Sequence, residues 1–380
     1  MDETEQLIAK LYDDALNPGD NGFVSNYEAI QQIFKNHESF TKDYGLVDIL
    51  FKSRFNTDGE EWVSRKLISH KYFKSASSPH FDDFLKRQAG KYFSGSAAVG
   101  SADLQERLSR YAVENIIKLL FDREVVPEGL VDWLFQTRSI LRRLQIDTLK
   151  NVCDFEFARS QRAILLSRLG AILQSADLRF ESNDVFVATD SEDPLGEEVA
   201  MLLVGAVESM LSTLLWSLDI LGRSSEFQDF IRNQEPASAE LYIGVFINET
   251  MRRFPPIPML VRRTDGEVEL GAKTYTAGSL IKISIVGAHH DPRIWSDPFT
   301  FKYRRAEFLN KTFDRSAYFP FSQGTRVCAG QRLATQEIKY ALLEILSNYK
   351  IYQPEELFEY VYNLTLSSQS YKSLTFSRLN

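Results

Sequence analysis

Phe321-Ser322-Gln323-Gly324-Thr325-Arg326-Val327-Cys328-Ala329-Gly330 is the stretch on which the reading of this chain turns. Gly324 permits a tight turn and close backbone approach. Cys328 stands at the start of a helix expected from about Ala329 to about Tyr349. Unpaired N–H groups at a helix start favour negative charge, and therefore a thiolate. Gly330 removes a side chain beside the sulfur and leaves room for a large flat ligand. A lone cysteine is ordinarily a buried structural residue. The full pattern Phe-x-x-Gly-x-x-x-Cys-x-Gly is expected only about 0.0004 times from this composition, if positions are independent.

A thiolate with backbone donors and an open face is a natural axial ligand for haem iron. The decapeptide resembles the haem-ligand loop of the cytochrome P450 monooxygenases, soluble bacterial type, and the resemblance extends over roughly residues 20–375. It implies a fold that is mainly α with small β-sheets, the single triangular haem-thiolate monooxygenase fold over residues 1–380, with a shortened N-terminus. Cys328 would ligate the iron of haem b, framed by Phe321, Gly324 and Gly330. Glu249-Thr250-Met251-Arg252 matches the family's Glu-x-x-Arg helix, and Asp297-Pro298-x-x-Phe301-x-x-x-Arg305 resembles the stretch that supplies a third member, Arg305. The triad Glu249, Arg252 and Arg305 would be structural. Arg262 (rather than Arg263), Arg326, and Trp62 with Lys66 resemble contacts to the haem propionates. The family has Arg where this chain has Lys66, with Arg65 beside it. Asn26-Tyr27-Glu28-Ala29 resembles the family's early strand-to-helix turn.

On the oxygen side the family reads Ala/Gly-Gly-x-Asp/Glu-Thr. This chain has Gly205-Ala206-Val207-Glu208-Ser209. The small pair and the acid are kept, and serine replaces threonine. Its hydroxyl still donates and accepts, without the methyl that fixes a rotamer. The apolar flanks Val204, Val207, Met210 and Leu211 suit a buried acid with a task, so Glu208 and Ser209 are the expected proton relay.

Hydrophobic residues at 44% and charged residues at 25% are those of an ordinary globular protein. A net charge of −8 argues against general affinity for nucleic acid or anionic membrane. Two cysteines, Cys153 and Cys328, cannot make a disulfide framework or hold an iron–sulfur cluster, and no dinucleotide fingerprint is present. Electrons would then come from a separate ferredoxin or flavodoxin-type donor. Basic residues at Arg65, Lys66, Lys71, Arg332 and Lys339 form its expected docking face. The N-terminus shows no secretory signal, so the expected location is cytoplasmic. Val199–Leu221 is interrupted by Glu208 and Asp219 and reads as a buried helix, not a membrane span. His289-His290 reads as structural.

The pattern predicts helices over 1–16, 27–36, 59–94 with a break at 75–79, 103–180 with a break at 122–127, 196–221 and 238–254, with Ser238 as N-cap. Short strands are expected at 22–25, over 257–287 and in the tail, and a loop over 41–58. Reaction with O2 on an apolar small molecule, such as a terpenoid, steroid or fatty chain, follows from the resemblance and the apolar pocket candidates in the 44–55 loop, Val204, Pro258–Leu260 and Ser367–Ser370. Two other readings keep the haem: a peroxide-driven or rearranging enzyme, and a gas sensor without turnover. The first would want an arginine in the oxygen-side helix, and none lies between Val199 and Leu221. The acid–alcohol pair argues against the second.

Overall fold

A computed structural model of the chain describes residues 3–17, 22–94, 101–152, 154–179, 188–271, 273–362 and 364–379. Cys153 and the Pro18-Gly19 stop expected after the first helix lie outside the described residues.

The long helix Pro194–Gly222 is apolar nearly all round, so it is buried on nearly all sides. Asp193 caps it by accepting from the Gly196 N–H at 2.9 Å, and Pro194 occupies its first turn. Among the described residues it is the helix long and apolar enough to cross a membrane, yet 72% of its most apolar window is buried inside the protein. Helices Ser101–Phe121, Phe155–Ser175, Pro236–Arg253 and Gln331–Asn348 pack against it. Pro79–Phe93 lies on Gln331–Asn348, closing a largely helical core.

A four-stranded sheet runs in the order Phe23–Val24, Leu280–Ser284, Met259–Thr264, Phe40–Lys42. The first pair is parallel, which chain segments so far apart in sequence allow, and the others are antiparallel. The register sets Lys42 opposite Arg262, a pairing that matters below. Among the described residues three two-stranded ribbons complete the β structure, one of them Tyr360–Tyr362 with Leu366–Ser368.

The mainly helical architecture with small sheets agrees with the sequence expectation, and four details differ. The 41–58 loop contains the end of the edge strand Phe40–Lys42 and a helical turn, Val47–Leu50. The 103–180 region breaks a second time, between Leu149 and Phe155, where Asn151 takes a positive φ of 56°. A short helix, Ser225–Arg232, lies between the long helix and the next. Ser238 does not cap: the helix starts two residues earlier at Pro236, whose missing N–H is harmless in a first turn.

Glu337 of the Gln331–Asn348 helix is buried beside Asn115, whose Nδ2 donates to it at 3.0 Å. Burial pushes its pKa up to about 8, against an opposing hydrogen bond from Asn115. A protonated Glu337 also offers the donor that Asn115 Oδ1, buried and otherwise unpartnered among the described residues, requires. The native state keeps a proton that the unfolded chain releases near 4.5. Its stabilising effect is therefore complete below that value and is lost as pH rises through about 8. Glu337→Gln keeps the hydrogen bonds without the titration. Thermal melts should match wild type at about pH 5 and exceed it at about pH 8; a variant advantage at low pH instead would show a charged Glu337.

Candidate functional site

The loop before Gln331–Asn348 is held by its own backbone and by its neighbours. Cys328 N–H donates to the Phe321 carbonyl at 2.9 Å, closing the turn. Gly324 has φ +69°, and a Cβ there would lie 2.9 Å from the Phe34 carbonyl oxygen, so both conformation and packing require glycine. Phe321 packs half-buried on the core. The space beside Gly330 differs from the expectation. A Cβ there would meet Phe73 at 3.5 Å and the Cys328 sulfur at 3.9 Å, ordinary contacts, so its side of the sulfur is already filled by Phe73.

Cys328 is exposed, yet burial raises its thiol pKa. Both hold together for a sulfur that opens into an internal void. Gly330 and Gln331 backbone donors and the Arg54 guanidinium act in the opposite sense and favour the thiolate. The long helix has an uncovered stretch of its own. Gly205 is exposed in an otherwise buried helix, and a Cβ placed there would touch nothing within 4 Å. One turn on, Ser209 Oγ donates to the Gly205 carbonyl at 2.9 Å, and Thr213 Oγ1 donates to the Ser209 carbonyl at 3.0 Å. Glu208 turns away from this face. It is buried against Arg138 of helix Leu130–Leu149, 3.2 Å from its Nε, and burial raises its pKa while Arg138 opposes the rise.

The cationic residues converge. Arg326 stacks its guanidinium 3.6 Å over the Trp62 ring, donates to the Thr57 carbonyl at 3.1 Å and pairs with Asp58. Its Nε is buried without a partner among the described residues, and burial pulls its pKa down to about 10. Lys66 rests its ammonium 4.7 Å from the same Trp62 ring. Lys42 is driven well below the ordinary lysine range, first by burial and then by Arg326 and Arg262. Arg262 is buried and reaches the Tyr44 hydroxyl at 3.4 Å. Lys42, Arg54, Arg262 and Arg326 gather near Asp58, with Asp48 close to Lys42 and Glu198 close to Arg54, so that the cations outnumber these carboxylates and the surplus calls for anions.

A family model described as Cytochrome P450 matches residues 130–372. The chain belongs to the cytochrome P450 family. It is 26% identical to the probable cytochrome P450 4p2 of Drosophila melanogaster, over 92% of this chain and 81% of that protein. It is 27% identical to the cyclooctat-9-en-7-ol 5-monooxygenase of Streptomyces melanosporofaciens, over 67% of this chain but only 57% of that relative's length. The fold is that of the retinoic acid-bound cyanobacterial CYP120A1, at a TM-score of 0.76 and 19% identity, covering 94% and 89% of the two chains. Solved structures of similar fold include bacterial P450s, while sequence relatives mix plant, animal and bacterial proteins. Membership places the chain among the P450 monooxygenases, and implies a haem-thiolate cofactor, a substrate, O2 and a redox partner.

The residues present fit that P450 cofactor. The desolvated yet open thiol suits an iron ligand, the uncovered helix face at Gly205 puts no side chain in the way of a flat ring system, and the surplus cations with an orphaned Arg326 Nε suit two propionates. Sequence reasoning offered the 44–55 loop as a pocket candidate but missed Lys42, and it did not single out Arg54 or Tyr44 for this cluster. They reach the site through the Lys42–Arg262 register and the 41–58 loop, and no local motif signals that. It missed Arg138 too, which comes from another helix.

Other expected residues are placed elsewhere. Arg65 is no docking residue: it is fully buried, binds Glu61 at 2.8 Å and Glu197 at 3.4 Å, and donates to the Lys52 and Pro194 carbonyls. Lys339 is mostly covered and paired with Glu240 at 2.7 Å, while Arg332 pairs with Asp82 at 2.9 Å. The tail turn spends its polar groups on the long helix, Ser368 Oγ donating to Asp219 at 2.7 Å. His289 and His290 are buried and held neutral by burial, His289 down to about 3, and no metal-binding cluster occurs among the described residues.

Glu249, Arg252 and Arg305 meet with no exposure. Arg252 binds both carboxylate oxygens at 2.7 and 3.0 Å, and Arg305 Nε joins at 2.5 Å. Arg305 also grips the Ser296 and Thr300 carbonyls, each at 2.8 Å. Arg305→Met removes half the neutralisation of a buried carboxylate and frees two carbonyls. Urea denaturation should show a loss of about 3–5 kcal/mol; a loss below about 1 kcal/mol, the scale of a surface pair, would show the triad to be dispensable.

Proposed function

We propose that this P450 is a haem-thiolate monooxygenase that inserts one oxygen atom of O2 into an apolar small molecule, using haem b held by Cys328. The observation that carries the reading is the thiol that is desolvated yet open, with Arg54 acting on it and Lys42, Arg262 and Arg326 gathered beside Arg54. The Streptomyces relative is named for action on cyclooctat-9-en-7-ol, a largely apolar cyclic alcohol, which supports the substrate class. Haem, when bound, supplies oxygen activation, and a thiolate ligand favours O–O cleavage. Gly330 and Gln331 N–H groups hold the sulfur's charge. Arg262, Arg326, Lys42 and Trp62 orient the cofactor through its propionates and its edge.

Ser209 faces the void and passes its proton from Oγ, exchanging the Gly205 carbonyl for an incoming acceptor. Glu208 reloads it by leaving Arg138, its raised pKa making it a proton donor nearer neutrality than an exposed carboxyl. The peroxide-driven alternative would need a free arginine over the void. Arg138 does reach the long helix, but Glu208 neutralises it. Electrons come from a separate ferredoxin or flavodoxin-type protein docking near Lys66, Lys71 and Arg332.

The reduced, carbon-monoxide-bound protein should show the red-shifted Soret band of thiolate ligation. Cys328→Ala should abolish it and Cys153→Ala should not; a thiolate band surviving in the Cys328 variant would remove this ligand. Ser209→Ala should keep haem and substrate binding while diverting electrons to peroxide, with product formation falling on the scale of about 10²–10⁴-fold for a lost proton relay. Unchanged coupling of electrons to product in both Ser209→Ala and Glu208→Gln would exclude the relay.

A further inference from the structure

Arg54 lies in the loop that leads into helix Gly59–Ser75, and two anchors fix it. Its backbone N–H donates at 2.9 Å to Glu198 Oε2, near the start of the long helix. Its guanidinium donates to Ser69 Oγ at 3.0 Å, and the Ser69 hydroxyl donates in turn to the Arg65 carbonyl at 2.8 Å. Ser69 and Phe73 are four residues apart, so they share one face of their helix. Phe73 is the side chain that fills the space beside Gly330, next to the Cys328 sulfur. The guanidinium is therefore docked one helical turn from the residue that meets the cysteine loop.

The charge carried there is not neutralised on the spot. The guanidinium's partner is a neutral hydroxyl, and Arg54 makes no ion pair among the described residues. Glu198 offers its carboxylate to the Arg54 backbone, while its contact with a cationic side chain is to Arg65 at 3.6 Å. Arg65 is already balanced by Glu61 and Glu197, and Glu197 also holds Arg162 at 2.7 Å. At the sulfur the consequence is mutual: Arg54 favours the thiolate, and Cys328 favours the Arg54 cation. Arg326 is two residues from Cys328 in sequence, but it is turned to Trp62 and Asp58. The fold thus gives the sulfur a cation from a distant loop.

Reducing a thiolate-ligated iron by one electron adds one negative charge to the pair. A nearby cation without a direct counter-ion favours that addition, and a carboxylate near the cation opposes it. We propose that Arg54 is a positioning residue that acts through the Cys328 sulfur to hold the iron's reduction potential up, with the Glu198 carboxylate as the opposing charge that limits the effect. This rests on the haem-thiolate reading above and concerns electron uptake, which a weaker reductant can then drive.

The test is a mediated redox titration of the substrate-free holoprotein, followed by its absorption spectrum. In Arg54→Gln the equilibrium for one-electron reduction should fall about tenfold or more, a midpoint lower by about 59 mV. Arg54→Lys keeps the charge and should stay nearer wild type. Glu198→Gln keeps an acceptor for the Arg54 N–H and removes the opposing charge, so its midpoint should rise. That arm is read at about pH 8.5, where wild-type Glu198, raised by burial to about 7 and faced by Arg54 and Arg65, is ionised. Loss of packing alone would not move the two residues' variants in opposite directions. A midpoint unmoved in Arg54→Gln, or lowered equally in Arg54→Lys, overturns the proposal. Should Arg54→Gln fail to fold, a midpoint unmoved or lowered in Glu198→Gln overturns it. Failure of the haem-thiolate reading itself would appear separately, as a missing thiolate band in the reduced, carbon-monoxide-bound wild type.

Discussion

The Glu249 carboxylate is the point on which the cysteine side of the molecule hangs. A lone buried carboxylate is prohibitive, and this one is tolerated because Arg252 and Arg305 bring two forked guanidiniums to it with no exposure. The same groups extend outward. Arg252 donates to the His289 carbonyl at 2.9 Å, and His289 Nε2 accepts from the Phe319 N–H at 3.0 Å, at the base of the loop that ends in Cys328. His289 can accept there only when neutral, and its burial beside Arg252 keeps it so. One ion cluster thus fixes a helix, the 296–305 segment and the start of the cysteine loop together.

Above that base the electrostatics reverse. Arg252 and Arg305 are matched by Glu249 and by Glu307, which meets Arg305 at 3.2 Å, whereas around Asp58 positive charge is in excess and Arg326 keeps an unpaired Nε. Unpaired buried polar groups are rare in folded proteins because each costs about 1–3 kcal/mol. The unpaired Arg326 Nε, set among surplus cations near an open thiol, suits an anionic partner.

Much of the helical framework was legible because apolar spacing and end signals are local. Ile30, Ile33 and Phe34 bury one face of Tyr27–Lys35 as their spacing requires, and Asn26 caps it through the Ala29 N–H at 3.1 Å. Ser238 misled because its identity suits a cap, but Pro236 fits the first turn better and the helix begins there. Arg65 misled for a different reason. Its position beside Lys66 suggests surface charge, while the helix turns it inward to Glu61 and Glu197 and leaves Lys66 on the Trp62 ring.

Residue order alone determined the cysteine loop, the Glu249–Arg252 pair with Arg305 as its later partner, and the small-residue interruption at Gly205 in an apolar helix. These are short-range patterns, in which adjacent residue types already state the turn, the helix start or the gap. Which charges stand together was decided only by the tertiary structure. Lys42 faces Arg262 through strand register, Arg54 reaches the neighbourhood of Cys328 through a loop, and Arg138 takes Glu208 from a helix some seventy residues away. Coulombic partnership depends on distance in space and on burial, and neither is written in the spacing of residues along the chain.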